Sequence, residues 1–265
     1  LFKIQIIMYK YYIFFLVLFL SRLSFAQRIH AVYEYIPSAM ATFKENVYYD
    51  GTVKIAVRDS TPQQIQVLDK DVDDEVAPSY SITIGSGKKF NRVVMHQNNA
   101  NQQLETRSIQ GVNYLVTDKF PLLEWNTAYG DVDTLGKYVC HKATASYRGT
   151  TLVAYYTNAI PVPVGPSKFG GLPGIIVMLY NESANPNYWY LKEVNYPYSG
   201  RIPIDDKYIH SLSKLSLEEF VKKEDQFNEE HMRMLYSKMP MMEGVSVEKQ
   251  KVRGGVEQVY EWEHQ

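Results

Sequence analysis

Short β-like segments, joined by connections mostly too short to hold a crossover helix, constrain this chain more than any other feature. Ile29-His30-Ala31-Val32-Tyr33-Glu34-Tyr35 alternates as a strand does. So does the run from Asn46 to Val57, with Asp50-Gly51 as its turn or bulge. Tyr80–Ile84, Gly85-Ser86-Gly87 and Phe90–Met95 read together as a hairpin. Further strands fit Leu104–Ile109, Tyr114–Thr117, Tyr138–Tyr147, Leu152–Thr157, Ile175–Tyr180 and Tyr188–Val194. Close spacing implies antiparallel pairing, because parallel neighbours need a connection of a dozen residues or more. Tyrosine supplies 22 of 265 residues, concentrated in these segments, which suits a sheet with half-buried faces.

One helix is signalled within this β pattern. Ser216-Leu217-Glu218-Glu219 is a capping box, with Leu215 and Phe220 at the staple positions on either side. Leu217, Phe220, Val221 and Phe227 then give a partial apolar stripe, which predicts a helix over 216–236 covering a sheet face. The expected fold is therefore mainly β (α+β): a curved antiparallel sheet or half-barrel with one helix, near the C-terminal side, packed on it. The expected organisation is a leader at 1–26, a single β-rich domain at 27–244 and a polar segment at 245–265, held as a loose strand or a tail.

The leader follows from order as well as composition. Lys3 and Lys10 precede the apolar run Tyr11–Leu20, and Ser24-Phe25-Ala26 places small residues at the −3 and −1 positions of a cut after Ala26. The apolar core is shorter than the roughly 20 residues of a spanning helix. The expectation is export to the periplasm or cell envelope, or secretion, with no transmembrane anchor after cleavage. Residues 1–26 hold three of the 28 basic residues and none of the 29 acidic ones, so the exported chain carries a net −4 with histidine neutral. Without a basic run, nucleic acid is not an expected partner. Cys140 stands alone, so no internal disulfide framework is available.

The stretch Gly165-Pro166-Ser167-Lys168-Phe169-Gly170-Gly171-Leu172-Pro173-Gly174 opens directly into Ile175-Ile176-Val177-Met178-Leu179. Gly165 and Gly170 have the outer spacing of a phosphate loop, but Gly171-Leu172 stand where lysine and a hydroxyl residue are required. The structural reading is a rigid corner made by glycine and proline. It feeds a central strand whose lack of alternation implies cover on both faces.

Together, Lys137–Ala143, Arg148-Gly149, Ala154-Tyr155-Tyr156-Thr157, Ile160-Pro161, Gly165-Pro166, Phe169 and the motif Gly171-Leu172-Pro173-Gly174-Ile175-Ile176 resemble the GLPGLI family, exported proteins widespread in Bacteroidetes. The likeness is close over about 122–195 and loose elsewhere. Tyr155 stands where that family commonly has tryptophan, and Ile175 where it has leucine. The resemblance implies no activity and no cofactor. The β-rich order also resembles the half-barrel of periplasmic lipoprotein-sorting and sigma-regulator proteins, in which a curved sheet can hold acyl chains.

Other constellations divide between site and scaffold. Cys140 and His141 are strand neighbours and point to opposite faces, so they cannot converge on one metal or act as nucleophile and base. Asp69, Asp71 and Asp73 mimic a calcium loop that lacks its glycine and its closing glutamate. His231, Met232 and Met234, with Met239, Met241 and Met242 beyond, offer soft donors of the kind Cu(I) selects. The competing reading of those methionines is as gap-fillers between helix and sheet. No catalytic signature stands out. The leading expectation is non-catalytic binding of a hydrophobic small molecule or an envelope protein, with Tyr155, Tyr156, Phe169 and Leu172 as lining residues. Copper handling through His231, Met232 and Met234 is the alternative.

Overall fold

The computed structural model describes residues 28–38, 41–62, 64–65, 91–97, 102–238, 253 and 255–264. The expected leader, the first half of the hairpin expected at 80–95, the acidic run at 69–75 and Met239, Met241 and Met242 lie outside the described residues. The strands are β1 (Ile29–Ser38), β2 (Ala41–Tyr49), β3 (Val53–Arg58), β4 (Gln64–Ile65), β5 (Arg92–Gln97), β6 (Gln102–Ile109) and β7 (Val112–Lys119). They continue with β8 (Val132–Leu135), β9 (Tyr138–Tyr147), β10 (Thr150–Thr157), β11 (Ile175–Glu182), β12 (Tyr188–Asn195) and β13 (Ser213–Ser216). Helix α1 spans Asp206–Ser211, α2 spans Leu217–Lys238, and a 3-10 turn covers Glu261–His264.

All thirteen join one open sheet, in the order β13-β7-β6-β5-β3-β2-β1-β12-β11-β10-β9-β8, with β4 paired to β2. The fold is mostly β, as the segment spacing predicts. Every pairing is antiparallel except β13 with β7. The Asp50-Gly51 turn joins β2 to β3, with Asp50 Oδ1 accepting from the backbone amides of Thr52 and Val53. The sheet is strongly curled. Between β7 and β10 lie eight strand spacings, roughly 38 Å if the sheet were flat. Yet the Arg148 guanidinium, in the turn between β9 and β10, sits 2.8 Å from the Asp118 carboxylate in β7.

Curling gives the sheet an inner and an outer face, and both are covered. On the outer face Ile55, Val57, Val93 and Leu115 pack against Ile209 of α1, with Ile202 and Ile204 alongside. On the inner face the connection from β10 to β11, residues 158–174, folds back into the concavity. Phe169, Leu172, Val162 and Val164 join Tyr33, Val47, Tyr147 and Trp189 there in the main apolar core. The first turns of α2 close one margin, with Leu217, Phe220 and Val221 against Val116 and Tyr260. Ser216 and Glu219 make the reciprocal capping contacts at 2.8 and 3.2 Å, so the box reads as it was spelled. Residues 255–264 do not trail as a loose tail. The backbone amides of Gln258 and Val259 donate to the Arg148 carbonyl, and Glu257 and Tyr260 are buried.

The corner at Gly171–Gly174 leads into β11, which is buried along most of its length between β10 and β12. Gly174 is there for close approach: a Cβ would lie 1.9 Å from the Thr157 carbonyl oxygen. Gly171 is there for conformation, with φ +88 and only Trp125 Nε1, at 4.0 Å, near the place of a Cβ. The two substitutions should therefore differ. Gly174→Ala is expected to cost about 3 kcal/mol or more of stability, and Gly171→Ala about 1–2 kcal/mol, measured as urea unfolding midpoints of the two variants. Equal effects would mean that the corner is not held by backbone contact.

Candidate functional site

The inner face of β2, β3, β5, β6 and β7 is far more polar than a core strand face normally is. Register places Tyr49, Lys54, His96, Gln103 and Asp118 opposite one another in a row across five strands. The next row is Val47, Ala56, Val94, Glu105 and Val116. Glu45 and Arg58 lead a third. Each polar group in these rows must find a partner or carry a desolvation cost of a few kcal/mol.

Much of the pairing comes from the glycine-rich connection. The Ser167 backbone amide donates to Glu45 Oε1 at 2.6 Å, while Arg58 holds the same carboxylate through Oε2 at 2.6 Å and lies 3.6 Å above the Tyr35 ring. Lys168, almost wholly buried, donates to Glu105 at 3.2 Å and to Glu257 at 3.0 Å. Glu257 also accepts from Arg148 at 2.5 Å, from Arg107 at 2.7 Å and from the Tyr147 hydroxyl at 2.8 Å. Arg92 completes the surroundings of Glu105, and Asp118 binds Arg148 through both oxygens. Burial alone would raise the Glu105 carboxyl, but Arg92, Lys168 and Arg107 outweigh it and pull it down to about 2. Glu257 is likewise held well below the usual range by Lys168, Arg107 and Arg148 against the effect of burial.

Beside this cluster is a cavity of about 300 Å³, at the small end of ligand-pocket sizes. Its walls are mainly apolar, from Tyr49, Phe120, Leu122, Leu123, Pro163 and Val164, with the Gly170-Gly171 backbone along one side. Leu122, at 84% exposure, marks the mouth. The polar groups in the lining are Lys54, Lys168 and His96. Lys54 is 5% exposed and donates to the Phe169 carbonyl at 2.5 Å, and among the described residues no carboxylate lies within ion-pair distance of it. Burial lowers its ammonium to about 7; Glu45 works against that and Lys168 adds to it. His96, opposite Lys54 on β5, is lowered by burial and by Lys54, and its buried Nδ1 has no partner among the described residues. Gln103, opposite His96 on β6, is wholly buried, and among the described residues neither of its amide atoms has a partner.

The residues expected to line a ligand site lie elsewhere. Phe169 and Leu172 are shut inside the apolar core, where Phe169 meets Tyr147 and Trp189 edge to face. Tyr156 is also core, while Tyr155, its strand neighbour, points to the other face and pairs across to Met178. None of the four lines the cavity beside Lys54. Cys140 is buried, with its thiol raised by burial, and His141 lies beside the Tyr156 ring. His231 stacks on Phe227 along α2, and Met232 and Met234 are 43% and 56% exposed rather than packed between helix and sheet. Among the described residues no three His, Cys, Asp or Glu side chains gather to hold a metal, and no helix is long and apolar enough to cross a membrane. Sequence reasoning missed Lys54, His96 and Gln103. Their signal was present only as inward parity on three strands, which register alone reveals.

A family model described as a protein of unknown function (Porph_ging) matches residues 146–178. That segment runs from the end of β9 through β10 and the glycine-rich connection into β11, and so contains Lys168 and the Gly171–Ile176 motif. No curated protein matches the chain. Two solved structures of PNGF-II, in the C2 and P21 space groups, align with it at 13% identity and a TM-score of 0.45 each. They cover 74% and 75% of this chain, which spans about a third of theirs, 32% and 33%.

The carboxylates fix the acid behaviour of the fold. Glu105 and Glu257 are both held below the ordinary carboxylate range, so they stabilise the folded state above about pH 4.5 and that contribution is lost as pH falls toward 2. Urea midpoints measured from pH 6 to pH 2.5 should fall below about pH 4.5. Glu105→Gln should be less stable at pH 6 and show a shallower fall; an unchanged slope would remove Glu105 from the account.

Proposed function

We propose that this chain is an exported cell-envelope protein of the GLPGLI type that binds, without turning it over, an apolar molecule carrying an acidic end. The observation that carries the reading is Lys54, a buried amine that has no carboxylate partner among the described residues and stands at the wall of a largely apolar cavity. An acidic head entering there gains a charge-assisted hydrogen bond in a poorly solvated setting. The apolar body would lie against Phe120, Leu122, Leu123 and Val164. A small, walled cavity favours a small molecule over a protein partner. The leader-like N-terminal sequence supports export, and the family match over 146–178 supports kinship on the segment that builds the site.

Octanoate is a suitable probe, since it combines an eight-carbon chain with one carboxylate. Calorimetric titration into residues 27–265 should show one site, weakened at least tenfold by Lys54→Met, with octanol binding changed much less. The affinity should fall as pH rises from 6 to 8, because Lys54, which faces Glu45, His96, Lys168 and Tyr49, loses its charge near 7. Octanoate binding that is indifferent to Lys54→Met, or absent at millimolar concentration, would overturn the reading.

A further inference from the structure

The same amine can do more than hold a charge. We propose that Lys54 is a carbonyl-capturing nucleophile, whose Nζ forms an imine with an apolar aldehyde or ketone seated in the cavity. The inference rests on the ligand-binding reading for the position of the cavity, but not on the acidic head. Three features of the geometry point to it. First, the Phe169 carbonyl accepts one Lys54 N–H at 2.5 Å, which fixes the amine, and among the described residues no carboxylate pairs with it. A carboxylate partner would hold the amine as an ammonium, and an ammonium has no lone pair to offer. Second, the amine lines an apolar cavity wide enough for a short-chain carbonyl compound, with Gly170 and Gly171 keeping one wall free of side chains. Third, His96 stands directly opposite on the neighbouring strand and lines the same cavity, its buried Nδ1 without a partner among the described residues.

These parts suffice for the chemistry. In the neutral amine the Nζ lone pair attacks the carbonyl carbon, and the C=O π pair moves onto oxygen. That oxygen takes up one proton as nitrogen loses one, giving the carbinolamine. Nitrogen's lone pair then forms C=N as the hydroxyl departs with a second proton as water. His96, in the lining of the same cavity, is the ring that would carry the proton from nitrogen to the leaving oxygen. One amine and one carbonyl become one imine and one water, and no oxidant or further reactant is required. Burial supports the step by bringing the amine to about 7. At neutral pH about half of Lys54 is then neutral, against about one part in a few thousand for a lysine at the ordinary value near 10.4.

The test uses octanal as the probe. Residues 27–265 are incubated at pH 7 with one equivalent of octanal and cyanoborohydride, which reduces the imine to a stable secondary amine, and the adduct is mapped by peptide mass spectrometry. The expected result is a single predominant adduct at Lys54, in at least tenfold excess over any other lysine, suppressed by prior saturation with octanol. His96→Gln should slow the trapping at saturating octanal. Labels spread over surface lysines with no preference for Lys54 would overturn the proposal, whatever the fate of Lys54 variants. Failure is separable from that of the binding reading. Octanoate held without a Lys54 adduct sinks only the capture step; a Lys54 adduct without octanoate binding sinks only the acidic head.

Discussion

The Lys168 ammonium, shared between Glu105 and Glu257, is the contact on which the rest of the arrangement depends. It joins three parts of the chain far apart in sequence: the connection between β10 and β11, the middle of β6, and the segment that follows α2. A buried ion is tolerated only when its partners are fixed and its remaining hydrogen-bonding positions are filled. Each of these charges is met by several neighbours. Glu257 alone meets Lys168, Arg107, Arg148 and the Tyr147 hydroxyl. Replacing the cluster with well-fitted apolar groups need not weaken the fold. The cluster acts on geometry: it fixes where the connection enters the concavity and which end of the chain closes it.

Geometry, in turn, makes the cavity. With Lys168 directed to two carboxylates and the Ser167 amide to Glu45, the backbone from Phe169 to Gly171 is held above β3 and β5. Lys54 then finds a peptide carbonyl where a carboxylate might have been. Of the two lysines in the lining, one is neutralised by design of its surroundings and the other is left to its desolvation. That difference between neighbours, rather than any sequence motif, distinguishes the site.

The elements of the fold were legible wherever local chemistry decides them. Tyr138–Tyr147 and the box at Ser216 and Glu219 form as their patterns predict, because pleating and capping are short-range. What alternation could not give was the direction of the faces. On β3, Ile55 and Val57 alternate with Lys54, Ala56 and Arg58, and the ordinary assumption turns the charges to water. Here the apolar set faces Ile202, Ile204 and Ile209, and the charged set faces inward onto the connection. The choice depends on two distant segments covering opposite faces, which no window of a dozen residues contains. The same cause hid the site and misdirected attention to Phe169 and Leu172. Their position in a glycine-rich turn suggests display, but the turn is folded inside the sheet. Met232 and Met234 err in the other direction: among the described residues α2 joins an apolar cluster through its first turns, and further along both methionines are exposed.

A charged interior next to a reactive amine is also an electrostatic device. The field at Lys54 is set by Lys168, whose own charge is locked by Glu105 and Glu257, and by Glu45, whose charge is largely spoken for by Arg58 and the Ser167 amide. Because the fixed charges cannot rearrange without unfolding the connection, the amine cannot recruit a counter-ion from them. In water the same lysine would surround itself with solvent and stay protonated. Inside a preorganised shell it remains near the balance point between its two forms, where either hydrogen bonding to an acid or bonding to a carbonyl carbon is within reach. On this view the ion cluster does not stand apart from the cavity as scaffold: it is what keeps Lys54 buried and, among the described residues, without a carboxylate partner.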